Sequence, residues 1–265
     1  MSHTLGYTVN CSLLFTELPL NDRPRAAREA GFDAVEFWWP FESPTPPKDE
    51  IDAFVSALDR AGVRLSGLNF FAGQLPGPDR GVLSHPSRSA EFRANIDVVV
   101  RIAERTGATG FNALYGLRQP GVDPGEQDRT ALENTVAAAE AVAAVGGTVL
   151  IEPISGAESY PLTTAADGLA FVARAGEAGA DNVALLADLY HLAVNGDDFA
   201  AAVRDHAAEF GHIQIADTPG RGEPGTGRLP IEELLTAAQA GGYRGLVGLE
   251  YKPTVPSAQS FGWLN

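Results

Sequence analysis

Short runs of Val, Ile, Leu and Phe recur along the chain, with little of the apolar–polar alternation of a half-buried strand. Residues 7–11, 34–37, 64–69, 110–114, 148–152, 183–188, 211–216 and 245–250 therefore read as eight strands covered on both faces, the signature of a parallel sheet. Between them lie stretches in which apolar positions return every three to four residues. Several of these close on a glycine suited to a left-handed helix end: 21–30 before Gly31, 48–61 before Gly62, 87–106 before Gly107 and 128–145 before Gly146-Gly147. Further helical patterns run over 164–175, 198–209 and 231–240.

Eight strands in 265 residues make one βα unit per roughly 33 residues. Strict alternation without a break in composition predicts an α/β fold in one domain over 1–265, and eight units favour closure into a (β/α)8 TIM barrel over an open sheet. The Pro- and Gly-rich stretches 40–47, 71–81, 117–125 and 218–230 all follow strands rather than helices. Long loops after strands mark the face of a barrel on which chemistry is expected.

Polar residues interrupt the apolar runs at the ends of the last four strands: Glu152 in TVLIEP, Asp188 in ALLADLYH, Gln214 in GHIQIAD and Glu250 in LVGLEY. A charge in such a place is costly unless paired or metal-bound. One such acid would pass for a wetted strand end, but four polar residues on consecutive strands of a closed barrel converge on one point. Three carboxylates and an amide oxygen form an all-oxygen donor set, which suits Mg2+ or Mn2+ better than Zn2+. His191 lies three residues beyond Asp188, and His212 precedes Gln214 by two on the same strand face. The stretch Gly220–Gly225 spells GxGxxG, yet it opens no helix and holds Glu223 and Pro224, so it reads as a loop carrying Arg221 over the site rather than a dinucleotide fingerprint. Lys252 supplies a second cation for an anionic substrate. Asn69, ending the third strand, and His85, in the loop 81–88, complete the candidate substrate-contacting residues. The aromatic run Phe37–Phe41 either walls a pocket or forms the interface of a homo-oligomer.

Charge narrows the function further. Nineteen Lys and Arg against 34 Asp and Glu give −15, which opposes nucleic-acid binding and docking on an anionic membrane surface. One cysteine, Cys11, forms no internal disulfide. No segment reads as an export signal or an apolar span, so the expected protein is a soluble cytoplasmic enzyme.

At these residues the chain resembles the hydroxypyruvate isomerase family of xylose-isomerase-like barrels and, more distantly, the ketose 3-epimerases. The resemblance spans nearly the whole length. It rests on NCSLLFTELPLNDRPRAAREAGFDAVEFWWP, DRGVLSHPSRSAEFR, IEPI, DLYH, GHIQIADTPGRGEPGTG, LEYKPT and SFGWL, of which the GHIQIAD block followed by GLEYKP is the most specific. It implies a divalent metal on Glu152, Asp188, Gln214 and Glu250, with Glu152 and Glu250 as the acid/base pair, and substrate contacts from Glu158, His191 and Arg221. The loop SGAESYPLTT after Glu152 and the stretch LAVNGDD after His191 depart from the family pattern. The implied reaction interconverts hydroxypyruvate and tartronate semialdehyde through an enediolate. A 2-oxo-tetronate isomerase or ketose 3-epimerase would use the same residues. A phosphodiesterase would need more metal ligands and a basic groove, and a non-catalytic sugar-binding barrel would need no metal.

Overall fold

In the computed structural model, which describes residues 3–264, the eight strands close into a parallel barrel in chain order. They are β1 Tyr7–Asn10, β2 Ala34–Phe37, β3 Arg64–Asn69, β4 Gly110–Asn112, β5 Thr148–Ile151, β6 Val183–Asp188, β7 Phe210–Ile215 and β8 Val247–Leu249. Closure is made by β1 pairing with β8, Thr8 opposite Gly248. Met1, Ser2 and Asn265 of the expected domain lie outside the described residues. The helices are α1 Arg23–Glu29, α2 Lys48–Ala61, α3 Ser89–Thr106, α4 Pro124–Ala143, α5 Ala165–Glu177, α6 Leu189–Val194, α7 Phe199–His206 and α8 Ile231–Ala240.

The helices cover the barrel with one apolar stripe each. On α3, Phe92, Ile96, Val99 and Ile102 are all buried at helical spacing, and each such side chain contributes about 1.5–3 kcal/mol on leaving water. Gly62 and Gly107 end α2 and α3 in the left-handed conformation, as their positions in the pattern predict. Helix α4 starts four residues before the expected Asp128, because Asp123 caps it by accepting from Glu126 N and Pro124 fits its first turn. Helix α6 escapes the pattern altogether. Its LYHLAV prolongs the apolar run of β6, and the switch to helix is made by Asp188, whose side chain accepts from Tyr190 N and His191 N. Strands β5 and β8 stop one residue short of Glu152 and Glu250, which leaves both carboxylates on the rim where the strand-following loops rise.

The aromatic run after β2 is turned inward. Phe37 and Phe41 meet Phe54 edge-on, Trp39 is buried, and Trp38 lines the cavity at the strand ends. The oligomer expectation thereby loses the exposed aromatic face on which it rested. Among the described residues no helix is long and apolar enough to cross a membrane.

Candidate active site

A cavity of about 450 Å³ opens at the C-terminal ends of the strands, lined among others by Trp38, Asn69, Arg80, Glu152, His191, Arg221, Glu250 and Lys252. At its floor, Glu152, Asp188, His191 and Glu250 are all buried, and one ligand atom from each lies within 4.8 Å of the others. Gln214 stands beside them, since it is the register partner of Asp188 across the β6–β7 ladder.

Each acid is held by neighbouring donors, and both oxygens of Glu250 are engaged. Asn112 donates through Nδ2 to Glu152 Oε2 at 2.6 Å. Asn10 donates to Glu250 Oε2 at 2.8 Å, and Arg221 Nη2 reaches Glu250 Oε1 at 2.6 Å. Asp188 spends Oδ1 on capping α6, with Tyr190 N at 2.8 Å and His191 N at 3.3 Å, while Oδ2 is buried without a hydrogen-bond donor. Gln214 Oε1 is likewise buried without one. Its amide nitrogen donates to Glu36 Oε1 at 2.7 Å, and a carboxylate oxygen can only accept there, which fixes the amide orientation.

His191 is held by Ser155, whose backbone N–H donates to Nδ1 at 2.9 Å and whose Oγ lies 2.7 Å from the same atom. A ring that accepts at Nδ1 and stays neutral carries its proton on Nε2. Burial pushes the imidazole down to about 4, against the pull of Asp188, so it stays neutral near pH 7. The protonated Nε2 lies 3.6 Å from Asp188 Oδ2 and 4.0 Å from Glu152 Oε1, beyond hydrogen-bond distance of either.

Burial pushes the Glu152 carboxyl up to about 8, with Asp188 adding to the rise and Asn112 opposing it. Burial also holds Glu250 well above the usual range despite the Arg221 guanidinium beside it. Three carboxylates and one guanidinium carry a formal charge of −3 + 1 = −2, and burial disfavours that excess. A divalent cation would neutralise it. Of the three buried side-chain acceptors without a donor among the described residues, Asn112 Oδ1, Asp188 Oδ2 and Gln214 Oε1, the last two belong to register-paired residues and are atoms such an ion would need. The residues present therefore fit a hard divalent metal.

Arg221 owes its position to its loop. Its backbone lies at φ 61°, in the left-handed region that non-glycine residues seldom adopt. Lys252 N donates to its carbonyl at 2.7 Å, and its guanidinium lies over the Tyr190 ring, 5.2 Å from the centroid. The loop is tied down by Asp217, which accepts from four backbone N–H groups, and by Glu223, which holds Thr254. The GRGEPG stretch is thus a rigid arginine-bearing turn.

The structure brings Glu152, Asp188, Gln214, Glu250, His191, Arg221, Lys252 and Asn69 to this cavity or its floor, and leaves two candidates outside it. His85 packs under the loop after β4, with Nε2 3.2 Å from Leu117 O and Nδ1 3.3 Å from Gln119 Nε2. Glu158 is exposed on the loop after β5. Neither lines the cavity: His85 is buried under the loop after β4 and Glu158 lies on the surface. Four residues not singled out from the sequence belong to the site: Asn10, Glu36, Asn112 and Arg80. The first three are polar residues inside apolar strands, the same signal that marked Glu152 and Asp188.

Comparison with known proteins bears on the family and the fold. A family model described as xylose isomerase-like TIM barrel matches residues 24–265. A Streptomyces coelicolor protein named "Putative hydroxypyruvate isomerase" is 57% identical over 97% of this chain and 95% of its own. A 2-oxo-tetronate isomerase of Cupriavidus necator is 35% identical, covering 97% and 96%. A crystal structure titled as an AP endonuclease, family 2, from Brucella melitensis superposes with a TM-score of 0.88 at 30% identity, over 98% of both chains.

Proposed function

The chain belongs to the xylose isomerase-like TIM barrel family, within its hydroxypyruvate isomerases, and from that premise we propose that it interconverts hydroxypyruvate and tartronate semialdehyde by proton transfer between adjacent carbons. The observation that carries the reading is the convergence of two buried glutamates, Glu152 from the end of β5 and Glu250 from the end of β8, beside Asp188 and Gln214. The reaction removes a proton from C3 of hydroxypyruvate, beside the C2 carbonyl, and adds one at C2, while the hydroxyl proton passes from O3 to O2. One carboxylate takes the first proton and the other delivers the second. Asn112 clamps one oxygen of Glu152, and Asn10 and Arg221 hold the two oxygens of Glu250, while both glutamates line the cavity.

Glu152, Asp188, Gln214 and Glu250 would hold Mg2+ or Mn2+, which when bound supplies positive charge beside the enediolate. His191 presents its Nε2 proton to the same space, where it can donate to a substrate oxygen. Lys252 and Arg80 line the cavity as cations for the substrate carboxylate, and Arg221 offsets charge on Glu250. The net charge of −15 speaks against a nucleic-acid phosphodiesterase on the same fold. The test is NMR of metal-loaded protein with hydroxypyruvate in D2O. E152Q and E250Q are each expected to lower turnover about 10²–10⁴-fold while remaining folded, and wild-type turnover in either would refute the assignment.

A second reading, isomerisation of a 2-oxo-tetronate, is favoured by the 35%-identical relative of that name. It would use the same glutamates and is separated from the first by comparing kcat/KM on the two substrates.

A further inference from the structure

Beneath the cavity floor lies a buried carboxylate that the proposed proton transfer does not use. Glu36, on β2, is 3% exposed inside the barrel. Its Oε1 accepts from Gln214 Nε2 at 2.7 Å and from Asn10 Nδ2 at 3.3 Å, and its Oε2 accepts from His212 Nε2 at 2.8 Å. Three donors offset the cost of burying this charge. The arrangement also depends on β8. A Cβ at Gly248 would fall 2.6 Å from Glu36 Oε1, 2.8 Å from Gln214 Cγ and 2.9 Å from His212 Nε2, so the space the group occupies exists because residue 248 is glycine.

We propose that Glu36 is a positioning residue that makes Gln214 a metal ligand by dictating which end of its amide faces the site. An amide presents an acceptor at one end and two donors at the other. With Nε2 committed to Glu36, the end left over is Oε1, the buried atom that has no donor, on the residue paired in register with Asp188. Without the carboxylate, the amide is free to turn its NH2 toward the acidic cluster, where it satisfies the carboxylates and repels a cation. Asn10 extends the same control to Glu250: one NH2 group serves both Glu36 and Glu250, and its carbonyl is fixed by Ser12 N at 3.0 Å. Glu36 thereby orients two of the four expected ligands from a single point, without touching substrate.

The inference rests on the metal reading given above, and the experiment separates the two. Mn2+ is titrated into metal-stripped wild type, D188N, E36Q and E36Q/Q214E, with calorimetry for affinity and the Mn2+ electron paramagnetic resonance signal for coordination. Wild type binding Mn2+ and D188N losing it supports the metal reading; failure of either overturns that reading and this one with it. With those controls in place, E36Q is expected to bind about 10–100-fold more weakly with an altered resonance signal. E36Q/Q214E, which restores the hydrogen bond with donor and acceptor exchanged, is expected to recover most of the affinity. E36Q binding within twofold of wild type, or a folded double variant with no recovery, would overturn the role of Glu36 alone. Should E36Q not fold, wild-type NMR decides. The Gln214 side-chain amide protons, assigned by their loss in Q214E, are expected to exchange slowly with solvent, and exchange at the rate of a free amide would refute the hydrogen bond.

Discussion

Asp217 offers the sharpest quantitative test of how the fold builds the site, because one buried carboxylate organises the whole turn that carries Arg221. It is 1% exposed. Its Oδ1 accepts from Thr218 N at 2.8 Å and Leu229 N at 3.0 Å, and its Oδ2 from Gly225 N at 2.9 Å and Gly227 N at 2.8 Å. D217N keeps the shape but turns one oxygen into an NH2 group that faces two N–H donors. Two charge-assisted bonds are lost at about 1.5–3 kcal/mol each, so about 3 kcal/mol is the expected minimum before water recovers part of it. For a chain of this size that lowers the thermal midpoint by roughly 6–12 °C. If the turn opens locally instead, the loss appears as proteolysis between residues 218 and 229 and as lower turnover, because Arg221 leaves Glu250. The acid dependence has a definite sign. Burial alone would raise the Asp217 carboxyl, but the four N–H groups hold it below the usual range. A group depressed in the folded state stabilises above its unfolded pKa of about 3.9 and loses that contribution as pH falls through the lower folded value. The gap between wild type and D217N should therefore be full at pH 6 and shrink below about pH 4. An unchanged midpoint together with unchanged proteolysis and turnover would refute the reasoning.

Further outcomes follow from the same structure. Phe171, fully buried on α5 and edge-on to Tyr115 at 5.5 Å, should cost about 3–5 kcal/mol when replaced by alanine, read by chemical denaturation, with a loss under 1 kcal/mol contradicting the packing. Chelation is expected to abolish turnover and Mg2+ or Mn2+ to restore it. Saturating metal at about 100 times its Kd should stabilise the fold by about 2.7 kcal/mol in a thermal scan, and an indifferent midpoint would contradict the all-oxygen site.

Most of the barrel was legible because each unit advertises itself locally. Lys48–Ala61 and Ile231–Ala240 are bounded by the signals the sequence carries, a first-turn acid pair at one end and glycine at the other. What escaped the pattern were elements set by a single side chain. Helix α6 exists because the Asp188 side chain caps it, and α4 reaches back to Pro124 because Asp123 does the same there. Apolar periodicity is blind to such switches, since LYHLAV reads equally well as the end of a buried strand.

The site divides along a physical line rather than a sequence one. Glu152, Asp188, Gln214 and Glu250 were visible because they end four consecutive strands, so adjacency in the chain becomes adjacency in space. The residues that orient them are remote. Glu36 lies 178 positions from Gln214, and Asn10 lies 240 from Glu250, and only closure of β8 onto β1 makes them neighbours. A polar residue buried in β1, β2 or β4 carries the same energetic signature as one in β6, namely a cost that must be offset by a partner. Applied to every strand, that criterion singles out Asn10, Glu36 and Asn112 along with the ligands. Glu158 fails it, since it is exposed in a loop; His85 is buried, but its partners are Leu117 O and Gln119 Nε2 of the loop after β4 rather than a group at the cavity floor. In this barrel the informative positions are those at which the sequence accepts a burial penalty, and the structure shows that Asn10, Glu36 and Asn112 meet theirs by clamping or orienting a carboxylate or an amide at the cavity floor.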